Sequence, residues 1–261
     1  MEWYERIRQK LASALLIVGF FVAWEVLCIV FNVPEIVLPR PTQIMDTLIS
    51  RLPQLMPHVI QTLSTTLTGF MLGVMAGLMI GSIVGSSRVA YDTAYPLLVG
   101  FSSIPKVAVV PIFVLWFGSG TVPAVLTSFI ICIFPIVVNV ATGLATTEPE
   151  LEDVLKALGA KRRQILWNVG LPRAMPYFFA SLKVAITLAF VGTVLAETIA
   201  SNRGIGNVMM IATASFDVRL VFAGLFLLAI LGVTLYLIFS LIERQVAGWA
   251  MRKSELPTGA A

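Results

Sequence analysis

Histidine is nearly absent from this chain. His58 is the only one, at the edge of an apolar run. That excludes a His-Glu-x-x-His zinc site and leaves an intramembrane serine–histidine protease without a base at membrane depth; no Gly-x-Ser-x-Gly occurs either. Sulfur chemistry has only Cys28 and Cys132 to draw on. Both lie inside apolar runs, so a disulfide framework is not expected. A Gly-rich phosphate loop is also missing, since Gly81 to Gly85 has neither the length nor a following Lys-Ser/Thr. No constellation for catalysis remains, and neither a metal nor a cofactor bound by this chain is expected. Charge is scarce as well, with 12% of the 261 residues ionised.

Apolar residues fill the space that charge leaves. They make up 58% of the chain, with a mean hydropathy of +0.92, which places it in the membrane class. Runs near the ~20 residues needed to cross a hydrocarbon core predict six helical spans, at 11–31, 59–84, 94–117, 122–144, 175–196 and 220–242. The fold class expected is an all-α membrane protein, residues 1–261 forming one transmembrane domain. The first run is too long for the apolar core of a signal peptide and is read as a retained anchor. Between the first two spans, 38–57 is polar and punctuated by Pro39, Pro41, Pro53 and Pro57, with an amphipathic helix over 42–52. Ile205 to Ala214 is read as a helix at the membrane interface.

Two spans carry further signals. In the second, Gly69, Gly73, Gly77, Gly81 and Gly85 recur every fourth residue and so share one face. In lipid, a face of small residues lets another backbone approach closely, so a tight helix contact is expected there, within the chain or with a second copy. The third contains Pro96, Pro105 and Pro111 and cannot be an unbroken helix. Cations are distributed unevenly around the spans. With the N-terminus inside, twelve Lys and Arg flank the spans on the inner side and four on the outer, with Lys106 and Lys183 inside spans. This bias predicts that both termini are cytoplasmic.

The longest polar interval, Glu148 to Pro172, lies on the inner side in this arrangement. Thr147 and Glu150 have capping-box spacing, and Leu151, Val154, Leu155 and Leu158 form one apolar stripe. Gly159 can take the left-handed conformation that ends a helix. A second short helix is expected from Lys161 to Val169, closed by Pro172. A helix pair between spans has no core of its own, so the stripe needs a partner protein. The cluster Lys161-Arg162-Arg163 does not suit DNA reading, because two short helices tied between spans cannot enter a groove, and no nucleic acid is expected.

Asp153-Val154-Leu155, Gly159, Val169 and Leu171-Pro172 resemble the coupling loop of permease subunits of bacterial ABC importers. The family pattern is Glu-Ala-Ala, three residues, Gly, nine residues, Ile, one residue, Leu-Pro. Here Asp-Val-Leu stands for Glu-Ala-Ala and Val169 for Ile. Ile104-Pro105-Lys106, Leu115-Trp116-Phe117-Gly118 and Ala196-Glu197-Thr198 resemble the branch that includes permeases for nitrate, alkanesulfonates, taurine and thiamine-precursor pyrimidines. The resemblance implies an importer permease in the bacterial cytoplasmic membrane, surrounded by lipid and working as a homodimer. Two separate ATPase subunits would use ATP and Mg, and an extracytoplasmic binding protein would deliver the solute. It also implies that Asp153, Leu155, Leu158, Gly159, Ala160, Leu171 and Pro172 form the coupling segment. The alternative is an ATP-independent secondary transporter or channel.

Ions inside spans are the remaining site candidates. A charge at mid-membrane costs roughly 2.5–3.5 kcal/mol on insertion scales, so it needs a partner, water or a function. Lys106 and Lys183 are candidates for a cationic lining of the solute path, against structural pairs with Glu197 or Glu25, or snorkelling of Lys183 to the inner interface. Glu197 is either a gate or pair, or a solvated cap. Glu25 is expected to face protein or the outer interface.

Overall fold

The computed structural model describes residues 2–145, 154, 155 and 157–251. Among these there is no strand. The helices are α1 (Glu2–Val30), α2 (Pro41–Gly85), α3 (Arg88–Ser102), α4 (Val110–Phe117), α5 (Thr121–Ala145), α6 (Leu171–Ala200), α7 (Ile205–Ala214) and α8 (Val218–Met251). Five of them are long and apolar enough to cross a membrane singly, and α3 with α4 forms a further pair bent by 76°.

The helix α2 corrects the reading of 38–84 as a surface helix, a break and a span. It is one helix of 45 residues, about 68 Å at 1.5 Å per residue. Pro53 and Pro57 do not break it because they lie one turn apart on its exposed side, so the carbonyls they deprive of donors face outward. Ile44, Leu48, Leu55 and Val59 on the other side are buried and hold the helix to the bundle. Its start is fixed by Pro41 and by the Gln43 side chain, which accepts the Arg40 N–H at 3.0 Å. From α1, Glu25 accepts the Thr42 N–H at 3.1 Å and its hydroxyl at 2.9 Å, placing a carboxylate at the positive end of α2.

The glycine face of α2 lies against α5. A Cβ on Gly69 would sit 2.5 Å from that of Ser128, one on Gly77 2.7 Å from Ile136 Cγ2, and one on Gly81 and Gly85 each 2.8 Å from the Cβ of Val140 and Leu144. Gly73 meets the Cys132 sulfur in the same way. Contacts at 128, 132, 136, 140 and 144 rise in step with 69 to 85, so α2 and α5 run parallel. The Gln61 amide also donates to Thr121 Oγ1 at 3.1 Å, so α5 starts level with Gln61. The segment 86–120 therefore returns the chain from the level of Gly85 to that of Gln61, about 36 Å along α2. That exceeds a ~30 Å hydrocarbon core, and the bent pair is one broken crossing.

The break in that crossing lies where the prolines put it. Pro105 precedes a single 3-10 turn, Lys106–Val109, and Pro111 occupies the first turn of α4. Pro96 is carried inside α3, which starts at Arg88, so only Ser86 and Ser87 separate it from α2. Pro135 is likewise carried within α5. The helix α6 packs antiparallel on α5, with Gly143 against Ala174 and Tyr177 at one end and Gly192 against Thr127 and Ser128 at the other. At the N-terminal side, Phe21 and Trp24 of α1 stack on Phe226 and Phe222 of α8.

Candidate functional site

The polar segment between α5 and α6 is built around a glycine. Gly159 has φ +80, a conformation that L side chains resist, and the Ala160 N–H reaches back to the Leu155 carbonyl at 2.9 Å. This six-to-one bond is the Schellman closure of a helix end. Leu158 is 78% exposed and Val154 56%, while Leu155 and Ala160 are half-buried. Two of the apolar stripe's side chains thus stand uncovered at a polar turn. Thr147, Pro149, Glu150, Leu151 and Asp153 lie outside the described residues, and with them the expected capping box.

The second half of the segment departs from the sequence reading. Gln164 Oε1 accepts the Lys161 N–H at 2.8 Å and starts a short helix, Arg162–Ile165. This widens into a π-helical turn, Leu166–Gly170, and continues into α6 without a stop. Leu171 and Pro172 are the first residues of α6, so Pro172 opens the fifth span rather than closing a helix before it. Ile165 is buried, which anchors the segment to the bundle. The helix α6 is then one rod of 30 residues from the Gly159 segment to Glu197.

The three ions of the sequence reading have different surroundings. Lys106 lies in the break between α3 and α4. Its Nζ donates to the Ser102 carbonyl at 2.7 Å and sits 4.9 Å from the centre of the Phe134 ring, with no carboxylate beside it among the described residues. It thus caps the carbonyl end of α3, where a cation is favoured. Lys183 pairs with Glu243 of α8 at 2.5 Å. Glu197 and Glu25, the partners expected for the lysines, are engaged elsewhere. The correction has a simple cause: α8 runs antiparallel beside α6 and is nine residues longer at its end than the span read from hydropathy, which brings Glu243 to the level of Lys183.

Glu197 is buried rather than solvated, and no cation pairs with it among the described residues. It is 1% exposed, and its Oε2 accepts the Thr62 hydroxyl at 2.9 Å and the Gly206 N–H at 3.1 Å. Around it, Thr62 Oγ1 accepts the Ile205 N–H at 2.9 Å and His58 Nδ1 the Gly204 N–H at 3.1 Å. The first turn of α7 is therefore seated on side chains of α2 and α6, which docks this end of the helix in the bundle. Sequence reasoning missed His58, Thr62, Gly204 and Gly206 as members of one cluster. The available signal was the Gly204-Ile205-Gly206 spacing seven residues after a carboxylate, because a Cβ at Gly204 would fall on the Glu197 carboxyl and one at Gly206 2.6 Å from the Val194 carbonyl.

This architecture, a bundle with a broken crossing and a Gly-centred polar segment leading into a long helix, can be compared with known proteins. Residues 73–248 match the family described as the inner membrane component of binding-protein-dependent transport systems. The chain belongs to that family. As one of these inner membrane components, it is similar to the formylaminopyrimidine transport permease protein ThiX of Halalkalibacterium halodurans, 30% identical over 95% of this chain and 100% of the relative. It is also similar to the riboflavin transport system permease protein RibX of Chloroflexus aurantiacus, 36% identical over 59% of this chain and 58% of the relative. The fold matches a chain of the inward-facing MetNI methionine ABC transporter with a TM-score of 0.65 at 21% identity, over 76% of this chain and 98% of that one. The chain is thus a multi-pass permease subunit of an ABC importer in the inner membrane, and the reading as an ATP-independent transporter or channel falls away.

Proposed function

We propose that two copies of this chain form the path of a small solute, and that each copy receives one separate ATPase subunit on its 154–172 segment. The observation that carries this reading is the Gly159 turn, which presents uncovered Leu158 and Val154 on a short helix fixed to the start of α6. Apolar side chains held outward on a polar segment suit a groove in another protein. Both termini and this segment are cytoplasmic, following the excess of Lys and Arg on that side. The ATPase uses the ATP and Mg; an extracytoplasmic binding protein delivers the solute to the opposite end, and membrane lipid covers the outward apolar faces. Asp153, Leu155, Leu158, Gly159 and Ala160 make up the docking helix end, with Leu171 and Pro172 joining it to α6.

Lys106 is proposed to line the path, at the break where two half-helices leave backbone carbonyls and an ammonium group together. Its ammonium group suits a small solute with an anionic or strongly accepting group, as in sulfonates, nitrate, carboxylates or pyrimidine precursors. Lys183, neutralised by Glu243, serves packing on this reading, and Glu197 serves the seat of α7. The test is copurification and uptake with Gly159→Val and Leu158→Asp. A Cβ at Gly159 meets nothing within 4 Å, so the valine acts through backbone conformation alone. Both variants are expected at normal abundance in the membrane, with the ATPase lost on purification and uptake abolished. Full ATPase retention and uptake in both would remove the segment from the coupling role.

A further inference from the structure

The start of α7 is held in an unusual way for a helix outside the main spans. Three successive backbone N–H groups, those of Gly204, Ile205 and Gly206, are received by His58, Thr62 and Glu197. Orphan N–H groups at a helix start are ordinarily met by a local cap or water. Here the receivers come from two other helices, and Thr62 ties the two together by donating to Glu197. Neither glycine has room for a side chain against α6, so α7 approaches α6 backbone to backbone. The same end of α6 holds a second element: the Gly120 N–H donates to the Ala200 carbonyl at 2.9 Å, and Val110, Ala124 and Ala196 form a buried cluster. The turn that follows the Lys106 break and the first turn of α7 are thus both attached to the last turns of α6.

The other end of α6 continues the Gly159 segment without a break. A helix of 30 residues spans about 45 Å and, with Pro176 confined to its first two turns, links the two ends of the bundle as one continuous element. We propose that Glu197 is a positioning residue that makes α7 travel with α6, so that a displacement delivered at the Gly159 segment moves the wall of the solute path at the far end. This rests on the reading of the 154–172 segment as the ATPase contact. The side chain is suited to the task because one oxygen, Oε2, takes both donors at once and so ties α2, α6 and α7 at a single atom.

The experiment uses the complete transporter, permease with its ATPase, reconstituted in proteoliposomes with its binding protein, and reads solute taken up per ATP hydrolysed. Glu197→Ala is expected to keep the ATPase bound and hydrolysing while uptake per ATP falls at least about tenfold, the scale of leaving the buried Thr62 and Gly206 donors unpaired. Glu197→Gln keeps the volume and an acceptor oxygen for Thr62 and Gly206 and should restore most of the ratio, whereas Glu197→Met keeps the volume without the acceptor and should not. If Glu197→Ala does not assemble, Thr62→Val, which removes a single hydroxyl from the seat, decides: a lowered ratio supports the proposal and an unchanged one overturns it. An unchanged ratio in an assembled Glu197→Ala overturns it as well. Absence of ATP-dependent uptake in the wild type would sink the coupling reading and this inference together, whereas normal wild-type coupling with unaffected variants sinks the inference alone.

Discussion

An ion inside a membrane protein is explained by what meets its charge, and the two intramembrane lysines differ on that point. Lys183 is 24% and Glu243 8% exposed at their side chains. Removing one member leaves the other buried without a counter-charge, at a cost of roughly 3–5 kcal/mol. Lys183→Met is therefore expected to lower the thermal stability of the detergent-purified protein, and Lys183→Met combined with Glu243→Gln to recover most of it. A double variant as unstable as the single one would show that the pair does not account for Lys183. Lys106 has a carbonyl and a ring face instead of a carboxylate. Lys106→Met is expected to leave the ATPase bound and to reduce uptake by about tenfold or more, the loss for a charged hydrogen bond to solute. Wild-type uptake would remove Lys106 from the path. The contrast is half legible: hydropathy places both lysines inside spans, but Glu243 lies just past the end of the last apolar run, where nothing in the sequence marks it as a partner.

At the scale of elements, periodic features were readable and assembled ones were not. The five glycines of α2 announce a close contact because their spacing is a property of one helix. Only the structure shows that the contact is with α5 in parallel register. Gly77→Leu would drive a side chain into Ile136, whose Cγ2 lies 2.7 Å from the position of an added Cβ. Overpacking of this kind costs about 1–3 kcal/mol, so a lowered melting temperature of the purified protein is expected, and unchanged melting would mean that the two helices separate at no cost. Prolines misled the reading twice, since a proline near a helix end signals a start as well as a stop. Pro53 and Pro57 are tolerated by facing outward, and Pro172 begins α6. The seat of α7 is legible only in its local half. The Gly204-Ile205-Gly206 spacing follows Glu197 closely, but the bonds that bring in His58 and Thr62 join residues 135, 143 and 146 positions apart.

For the whole molecule, the decisive relation is the parallel course of α2 and α5. Two parallel helices joined by a segment that starts level with the end of one and finishes level with the start of the other need a return crossing between them, and residues 86–120 supply it. The bend of 76° in that segment is also what a re-entrant loop would show. The two topologies differ in one respect: a crossing places Ser86 and Ser119 on opposite faces of the membrane, and a re-entrant loop places them on the same face. It follows that a crossing puts both chain ends on one side, as the distribution of Lys and Arg predicts, whereas a re-entrant loop would put them on opposite sides. The chain is suited to the measurement because Cys28 and Cys132 are both buried. Ser86→Cys and Ser119→Cys, each made singly, can be treated with a membrane-impermeant maleimide in intact cells and in inverted vesicles. Ser119 is exposed in the Gly118-Ser119-Gly120 turn, where both glycines have positive φ, so the thiol replaces a hydroxyl at the surface. Labelling of Ser119→Cys in intact cells and of Ser86→Cys only in inverted vesicles is the expected result. Labelling of both from one face would make the pair a re-entrant loop and separate the termini across the membrane. The 154–172 segment would then lie on the opposite side from the N-terminus, and an ATPase contact at that segment would put the N-terminus outside.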